Sequence, residues 1–261
     1  MPLAHKIKLL NWYKFIILKK QFKPDKIFFS AGLDALPKIK VDVFFSGVPF
    51  STLSQTERKI GQNAKLVITN DSSHNLAWGN LATTLPISAV AKKYFKPAKK
   101  TSLAVSFVGT LSSHRQQTLA RIGQKIKALK VWGWLPPGTK LNLHLKPFYQ
   151  GEAWGKKVAD IFAQSQISLN LGPDHMTKGG NLRSFEITGS QTLLLTDQLN
   201  PDWFLAGKEA IKFSSIQEAI RKINYYLSHP KALKAIASAG YLKTIHHHTY
   251  KHRFKKLLSL I

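Results

Sequence analysis

Cysteine is absent from all 261 residues, which excludes disulfides, thiolate zinc sites and a cysteine nucleophile. Acidic residues are scarce as well. Thirteen Asp and Glu stand against 39 Lys and Arg, a formal charge of +26, and no acid occurs between Asp71 and Glu152. Such an imbalance points to an anionic neighbour, whether nucleic acid, a membrane surface or a phosphorylated small molecule, unless the charge is only spread over the surface. Also missing is any apolar run near the ~18 residues that a membrane span needs. The basic, apolar stretch from His5 to Lys20 is interrupted by Lys14 and lacks a small-residue cleavage site, which argues against a signal peptide. With Trp12, Tyr13 and Phe15 among its lysines, it reads either as an interfacial membrane helix or as a helix packed on its own domain.

What the chain does have is 44% hydrophobic residues, enough for one large or two small domains, in an alternating pattern. Short apolar strands are expected at Lys26–Phe29, Val41–Phe45, Lys65–Thr69 and Thr83–Pro86. The basic segment Lys92–Lys100, with Pro97 in it, then disfavours helix and is read as a linker. A second series opens with strand Ser102–Val108 and a helix over Arg115–Leu129. Strands at Lys130–Trp134 and Leu141–Leu145 follow, then a helix at Lys156–Gln164 and strands at Ile167–Leu171, Thr192–Thr196 and Ala210–Phe213. Three helices close the chain: Ser215–Leu227, with Ser215 and Glu218 as a capping pair, Pro230–Ala239, stopped by Gly240, and His248–Ile261. Strands alternating with helices imply βαβ units and a parallel sheet covered on both faces.

Between two of those strands lies Thr177-Lys178-Gly179-Gly180-Asn181-Leu182-Arg183-Ser184-Phe185-Glu186-Ile187. Strand, glycine loop and helix start form a place where backbone N–H groups and a helix dipole meet an anion. Lys178 and Arg183 flank the turn as cations, and Glu186, one helical turn in, is an acceptor suited to a pair of sugar hydroxyls. An ordinary helix N-terminus with a Glu in its first turn reads equally well.

The run from Asn181 to Asp197 resembles the N-x-R-x-F-E … G-x-x-L-L-x-D stretch of CgeB-like, spore-maturation-type glycosyltransferases of the family 1 group, although Gln191 stands where their glycine falls and Gly189 comes two residues early. Phe204 to Glu209 is similar to their F-x-x-G-K-E, and His248-Thr249-Tyr250-Lys251-His252-Arg253 to their closing H-T-Y-x-x-R. Upstream, Phe107-Val108-Gly109-Thr110 with Arg115 resembles their entry to the nucleotide domain. The resemblance covers residues 100 to the end.

It implies an α/β, GT-B-like architecture: two Rossmann-like domains facing a cleft, an N-terminal acceptor domain over residues 1–97 and a C-terminal nucleotide-sugar domain with closing helices over residues 98–261. The N-terminal half starts with a helix, so its first βα unit looks truncated. The implied activity is glycosyl (hexosyl-type) transfer from a nucleoside-diphosphate sugar to a glycan, lipid or protein acceptor, with no resident cofactor and no metal, in keeping with the lack of an Asp-x-Asp pair. Arg115 and Lys178 would neutralise the leaving diphosphate together with the N–H groups of Gly179, Gly180 and Asn181. Gly109 would allow close approach, Arg183 would touch phosphate or buttress the loop, and Glu186 would hold the ribose. Lys178 stands where many relatives carry a carboxylate. A cytoplasmic enzyme is expected, peripheral at an anionic inner membrane face and without a specific nucleic-acid partner. No general base stands out: Asp34, Asp71 and His74 sit in loop-like positions of the short half, where capping is the plainer reading. His248 and His252 have i, i+4 spacing but no further ligands for a metal. Phe148 and Tyr149 are candidate stacking partners for a base, or plain core aromatics. The short half also leaves room for an inactive transferase-fold interaction protein, and the charge for a basic nucleic-acid-binding protein.

Overall fold

The computed structural model describes residues 27–30, 41–46, 49–85, 89–172 and 181–261. The chain divides into two compact units, residues 1–87 with 254–261, and residues 88–253. The division thus precedes the Lys92–Lys100 segment, whose approach is tied to the second unit: Val90 donates its N–H to the His248 carbonyl (2.9 Å). The N-terminal stretch His5–Lys20 and Asp34 lie outside the described residues.

In the first unit, strands β1 (Phe28–Ser30), β2 (Val43–Ser46), β3 (Leu66–Thr69) and β4 (Ala82–Thr84) form a parallel sheet in that order. Helix α1 (Gln55–Gln62) joins β2 to β3, and the sequence reading missed it. Its signal is there: Ser54 and Glu57 form a reciprocal capping box, the Ser54 side chain accepting from the Glu57 N–H (3.3 Å) and Glu57 Oε2 from the Ser54 N–H (2.8 Å).

The second unit is three-layered. Strands β5 (Leu103–Val108), β6 (Leu129–Trp132), β7 (Ser165–Asn170), β8 (Leu193–Thr196) and β9 (Ile211–Lys212) make a parallel sheet in the order β6-β5-β7-β8-β9. Because neighbouring strand residues face opposite ways, Val105, Phe107, Ile167 and Leu169 pack on one side with helices α2 (Ser113–Lys125) and α5 (Ile216–Ser228). Val108 and Leu194 pack on the other with α3 (Lys156–Gln164) and α4 (Leu182–Gly189). The α3/α4 face also buries hydroxyls: Ser165 donates to Ser106 (2.8 Å) and Ser106 to Ser168 (3.0 Å). Helices α6 (Pro230–His247) and α7 (Tyr250–Leu258) follow.

Three expectations are corrected. Leu141–Leu145 forms no strand despite its alternating leucines, because Asn142 organises a turn, accepting from the His144 N–H on its side chain (2.8 Å) and from the Leu145 and Lys146 N–H groups on its carbonyl. Gly240 does not end its helix, which runs on to His247. A Cβ there would collide with the Glu209 carbonyl oxygen, so glycine serves close approach. At Ser215 the capping is one-sided: its side chain accepts from the Glu218 N–H, while the Glu218 carboxylate takes the Ser214 N–H.

Candidate active site

A parallel sheet gathers its chemistry beyond the carboxyl ends of its strands, where loops lead into helix N-termini. At the end of β5, the Gly109 N–H donates to the Trp132 carbonyl (3.1 Å), joining the loops after β5 and β6. Only glycine fits opposite: a Cβ on Gly133 would overlap the Gly109 oxygen. Arg115, in the first turn of α2, spans the next gap. Its guanidinium donates to the Leu171 carbonyl past β7 (2.7 Å) and to the Thr110 carbonyl (3.2 Å). Past β7 and β8, the Gly172 N–H donates to Asp197 Oδ1 (2.7 Å). Burial pushes the Asp197 carboxyl up, and the Gly172 bond and the Arg115 charge oppose that shift.

Lys178, Gly179 and Gly180 lie outside the described residues. Asn181 is the N-cap of α4: its side chain accepts from the Arg183 N–H (3.0 Å) and donates to Asn170 Oδ1 (3.0 Å), and Asn170 donates to Ser184 (3.1 Å). The end of β7 is thus tied to the start of α4 by side-chain hydrogen bonds. Arg183 is engaged in the site's own scaffold. Its Nε donates to the Val108 carbonyl (3.1 Å), its Nη1 pairs closely with Glu186, and its plane lies over the Phe162 ring at 5.8 Å. Glu186 is buried. Burial raises its carboxyl above the usual range, and Arg183, through charge and hydrogen bond, pulls it back.

Arg183 and Glu186 form the polar floor of a cavity of about 270 Å³, whose walls include Tyr94, Phe95, Trp154 and Lys156. Tyr94 and Trp154 are each 63% exposed, unusual for rings of that size beside a buried carboxylate. The sequence reading missed both. Their signal is weak, Tyr94 sitting in the expected linker and Trp154 in a loop before α3. Phe148 and Tyr149, considered instead, have other duties: Phe148 is buried in the core, and the Tyr149 hydroxyl donates to the Gly133 carbonyl (3.0 Å).

Motifs far apart in sequence converge on one ring. Phe185, fully buried, lies 5.0 Å from Trp203, 5.7 Å from Phe204 and 5.0 Å from His248 between centroids, with the Arg253 guanidinium 5.3 Å above it. His248 spends both ring nitrogens there: Nε2 lies 3.2 Å from the Trp203 carbonyl and Nδ1 2.7 Å from Arg253 Nη2. The ring therefore serves as a neutral imidazole that donates from Nε2 and accepts at Nδ1, and its nearest partners leave no lone pair for a metal. His252 meets the Thr249 hydroxyl at 2.7 Å. Among the described residues no group of three His, Asp or Glu is placed to hold a metal ion. Tyr250, next in the chain, lies near Glu186, and partial burial together with that charge raises its hydroxyl above the usual range. In the first unit, Asp71 caps the turn that follows it, accepting from the Ser73 N–H (2.9 Å) and hydroxyl (2.7 Å), and His74 is buried.

Gln191 is the only described non-glycine residue with positive φ, 59°. A left-handed residue favours glycine, the type that the related motif places here. A bond from Gln191 Nε2 to the Ser238 hydroxyl (2.9 Å) ties the turn to α6 and offsets part of the cost.

None of the curated proteins matches the sequence significantly. Solved structures do match in fold. A glycosyltransferase from Rickettsia africae aligns with a TM-score of 0.65 at 13% identity, covering 97% of this chain and 80% of its own. S. aureus TarM, solved as a point mutant in complex with fondaparinux, alpha-GlcNAc-glycerol and UDP, aligns at 0.62 and 14% identity over 84% of this chain and 50% of its own. Anabaena HepE, solved with UDP and glucose, aligns at 0.64 and 12% identity, again over 84% of this chain and 70% of its own. The chain spans about half the length of TarM. The architecture is thus α/β with parallel sheets, resembling GT-B glycosyltransferases, and no helix among the described residues is long and apolar enough to cross a membrane. A model of the family described as glycosyl transferase-like matches residues 110–259, more than half of the sequence, and the chain belongs to that family.

Proposed function

We propose that this protein moves a sugar from a nucleoside-diphosphate sugar to an acceptor hydroxyl, in the manner of the CgeB-like branch of its family. The observation that carries the reading is the buried Glu186–Arg183 pair at the head of α4, flooring a cavity with exposed rings on its walls. A carboxylate there accepts from two vicinal hydroxyls, as a ribose offers, and Arg183 opposes the rise that burial imposes on it. Trp154 or Tyr94 supplies the flat face on which a base stacks. That HepE and TarM were solved with UDP makes UDP the first nucleotide to try.

In transfer, the bond from the anomeric carbon to the β-phosphate oxygen breaks, its electrons leave with the nucleoside diphosphate, and the acceptor oxygen bonds to the same carbon while shedding its proton. Charge grows on the leaving diphosphate, and fixed donors aimed at it commonly supply the largest catalytic contribution. Arg115, Lys178 and the N–H groups of Gly179 to Asn181 take that role, with Gly109 setting how closely the loop approaches. Donor binding belongs to the second unit, residues 88–253, and acceptor binding to the first.

Calorimetric titration tests the nucleoside end. Glu186→Ala and Trp154→Ala are each expected to weaken UDP by at least about tenfold, the loss of roughly 1.4 kcal/mol, while leaving inorganic pyrophosphate nearly unchanged. Equal losses for both ligands would remove the ribose and stacking roles.

The charge partners of the diphosphate are protein groups, so a chelator should leave UDP affinity unchanged. Affinity that collapses in EDTA and returns with magnesium or manganese would overturn this part of the reading.

A further inference from the structure

No acidic residue follows Glu218, whereas nine Lys or Arg do. Helix α7 gives this imbalance a shape. Tyr250, Phe254 and Leu258 stand at i, i+4 and i+8 and are 40%, 57% and 62% exposed, so they line up as one apolar stripe along the helix. The rotation of the helix is fixed by Leu257, which is buried against Val43, Ile68 and Leu85. One position on from the stripe, Lys251 and Lys255 border it, and both are exposed, as is Lys256. Single exposed apolar residues are ordinary. Three in register beside a row of cations, with no carboxylate on the helix, are the pattern of a helix that lies in a bilayer headgroup region. A second copy of this chain would set lysines against lysines, and a nucleic-acid backbone would leave the stripe in water.

We propose that α7 docks the protein on an anionic bilayer, Phe254 and Leu258 entering the acyl boundary while Lys251 and Lys255 meet the lipid phosphates. The proposal is independent of the donor-site reading, and the four side chains it sets against the bilayer, Lys251, Phe254, Lys255 and Leu258, lie outside the donor cavity.

The test is co-sedimentation of the full chain with phosphatidylglycerol-containing vesicles and with pure phosphatidylcholine vesicles, at low and high salt. Adsorption is expected only to the anionic vesicles at low salt. Phe254→Ser with Leu258→Ser should abolish it without lowering the thermal midpoint or UDP binding, since both side chains face water. Should that pair unfold the protein, Lys251→Glu with Lys255→Glu serves instead. At roughly fivefold in partition per lysine lost, it should weaken adsorption by about 25-fold or more. The proposal fails if the wild-type chain ignores anionic vesicles, if it binds neutral ones equally, or if either pair of substitutions leaves adsorption unchanged. It fails equally if removing the stripe converts a dimer to a monomer in the absence of lipid, which would make a second copy the occupant.

Discussion

Acidification is expected to unfold this protein by way of His248, and a His248→Gln variant should resist it. In the folded chain the ring's proton affinity is lowered from 6.5 to about 3, first by burial and then by the Arg253 charge. The unfolded chain therefore takes up a proton that the native site refuses. The contribution to stability is complete above pH 6.5 and is lost as pH falls towards 3. Over that span it amounts to something on the order of 4 kcal/mol, a large share of the ~5–15 kcal/mol by which domains are stable. Glutamine can still donate to the Trp203 carbonyl and accept from Arg253 but cannot titrate. Urea midpoints measured from pH 7.5 to 4 should fall steeply for the wild-type chain and more gently for the variant. Parallel curves would show that the ring is not what titrates.

Arg183→Ala should cost about 3 kcal/mol in the same assay at neutral pH, because it leaves a buried carboxylate with its principal counter-charge removed. The pH dependence has the opposite sign to that of His248. Burial already raises the Glu186 carboxyl, and removing Arg183 takes away the first opposing influence. A carboxyl raised in the folded state favours folding below its unfolded value of 4.5 and loses that contribution as pH climbs through the raised value. The variant should accordingly be hurt most at neutral pH and least near pH 4. Adding Glu186→Gln should restore most of the loss and remove the slope. If the double variant is no more stable than Arg183→Ala, the pair is not the source.

Much of this is legible in the sequence where periodicity and local chemistry agree. Helix α3 begins at Lys156 and ends at Gln164, as its apolar spacing requires, and β5, β7 and β8 fall within a residue or two of their apolar runs. The failures come where a side chain overrules the pattern, as Asn142 does for Leu141–Leu145, or where a glycine's purpose is visible only across space, as at Gly240. Of the site, Arg183 and Glu186 can be singled out because they share one helical turn. Their partners cannot: Val108 is 75 positions from Arg183, and nothing local marks Tyr94 or Trp154 as walls of one cavity. The stretches that resemble CgeB-like enzymes hold Phe185, Phe204 and the closing His248 far apart in sequence, and the structure packs the three rings together.

The hydroxyl chain joining Ser106, Ser165 and Ser168 bears on how the chain avoids misfolding. Strands β5 and β7 are neighbours in the sheet, although about 60 residues separate them and the whole of β6 intervenes. Sliding one strand past the other by two residues would keep every side chain on its own face and match apolar residues with apolar residues nearly as well. Hydrophobicity alone hardly penalises that error. Ser106 opposite Ser168 does, because a slip would break the bonds among the three hydroxyls and crowd Ser106 against the larger Gln166 or Asn170, and each buried hydroxyl left without a partner costs about 1–3 kcal/mol. Three small polar side chains thus serve as the proofreading element for the longest-range pairing in the sheet, and through it decide whether Arg115 reaches the carbonyl beyond β7 and Arg183 the one at the end of β5.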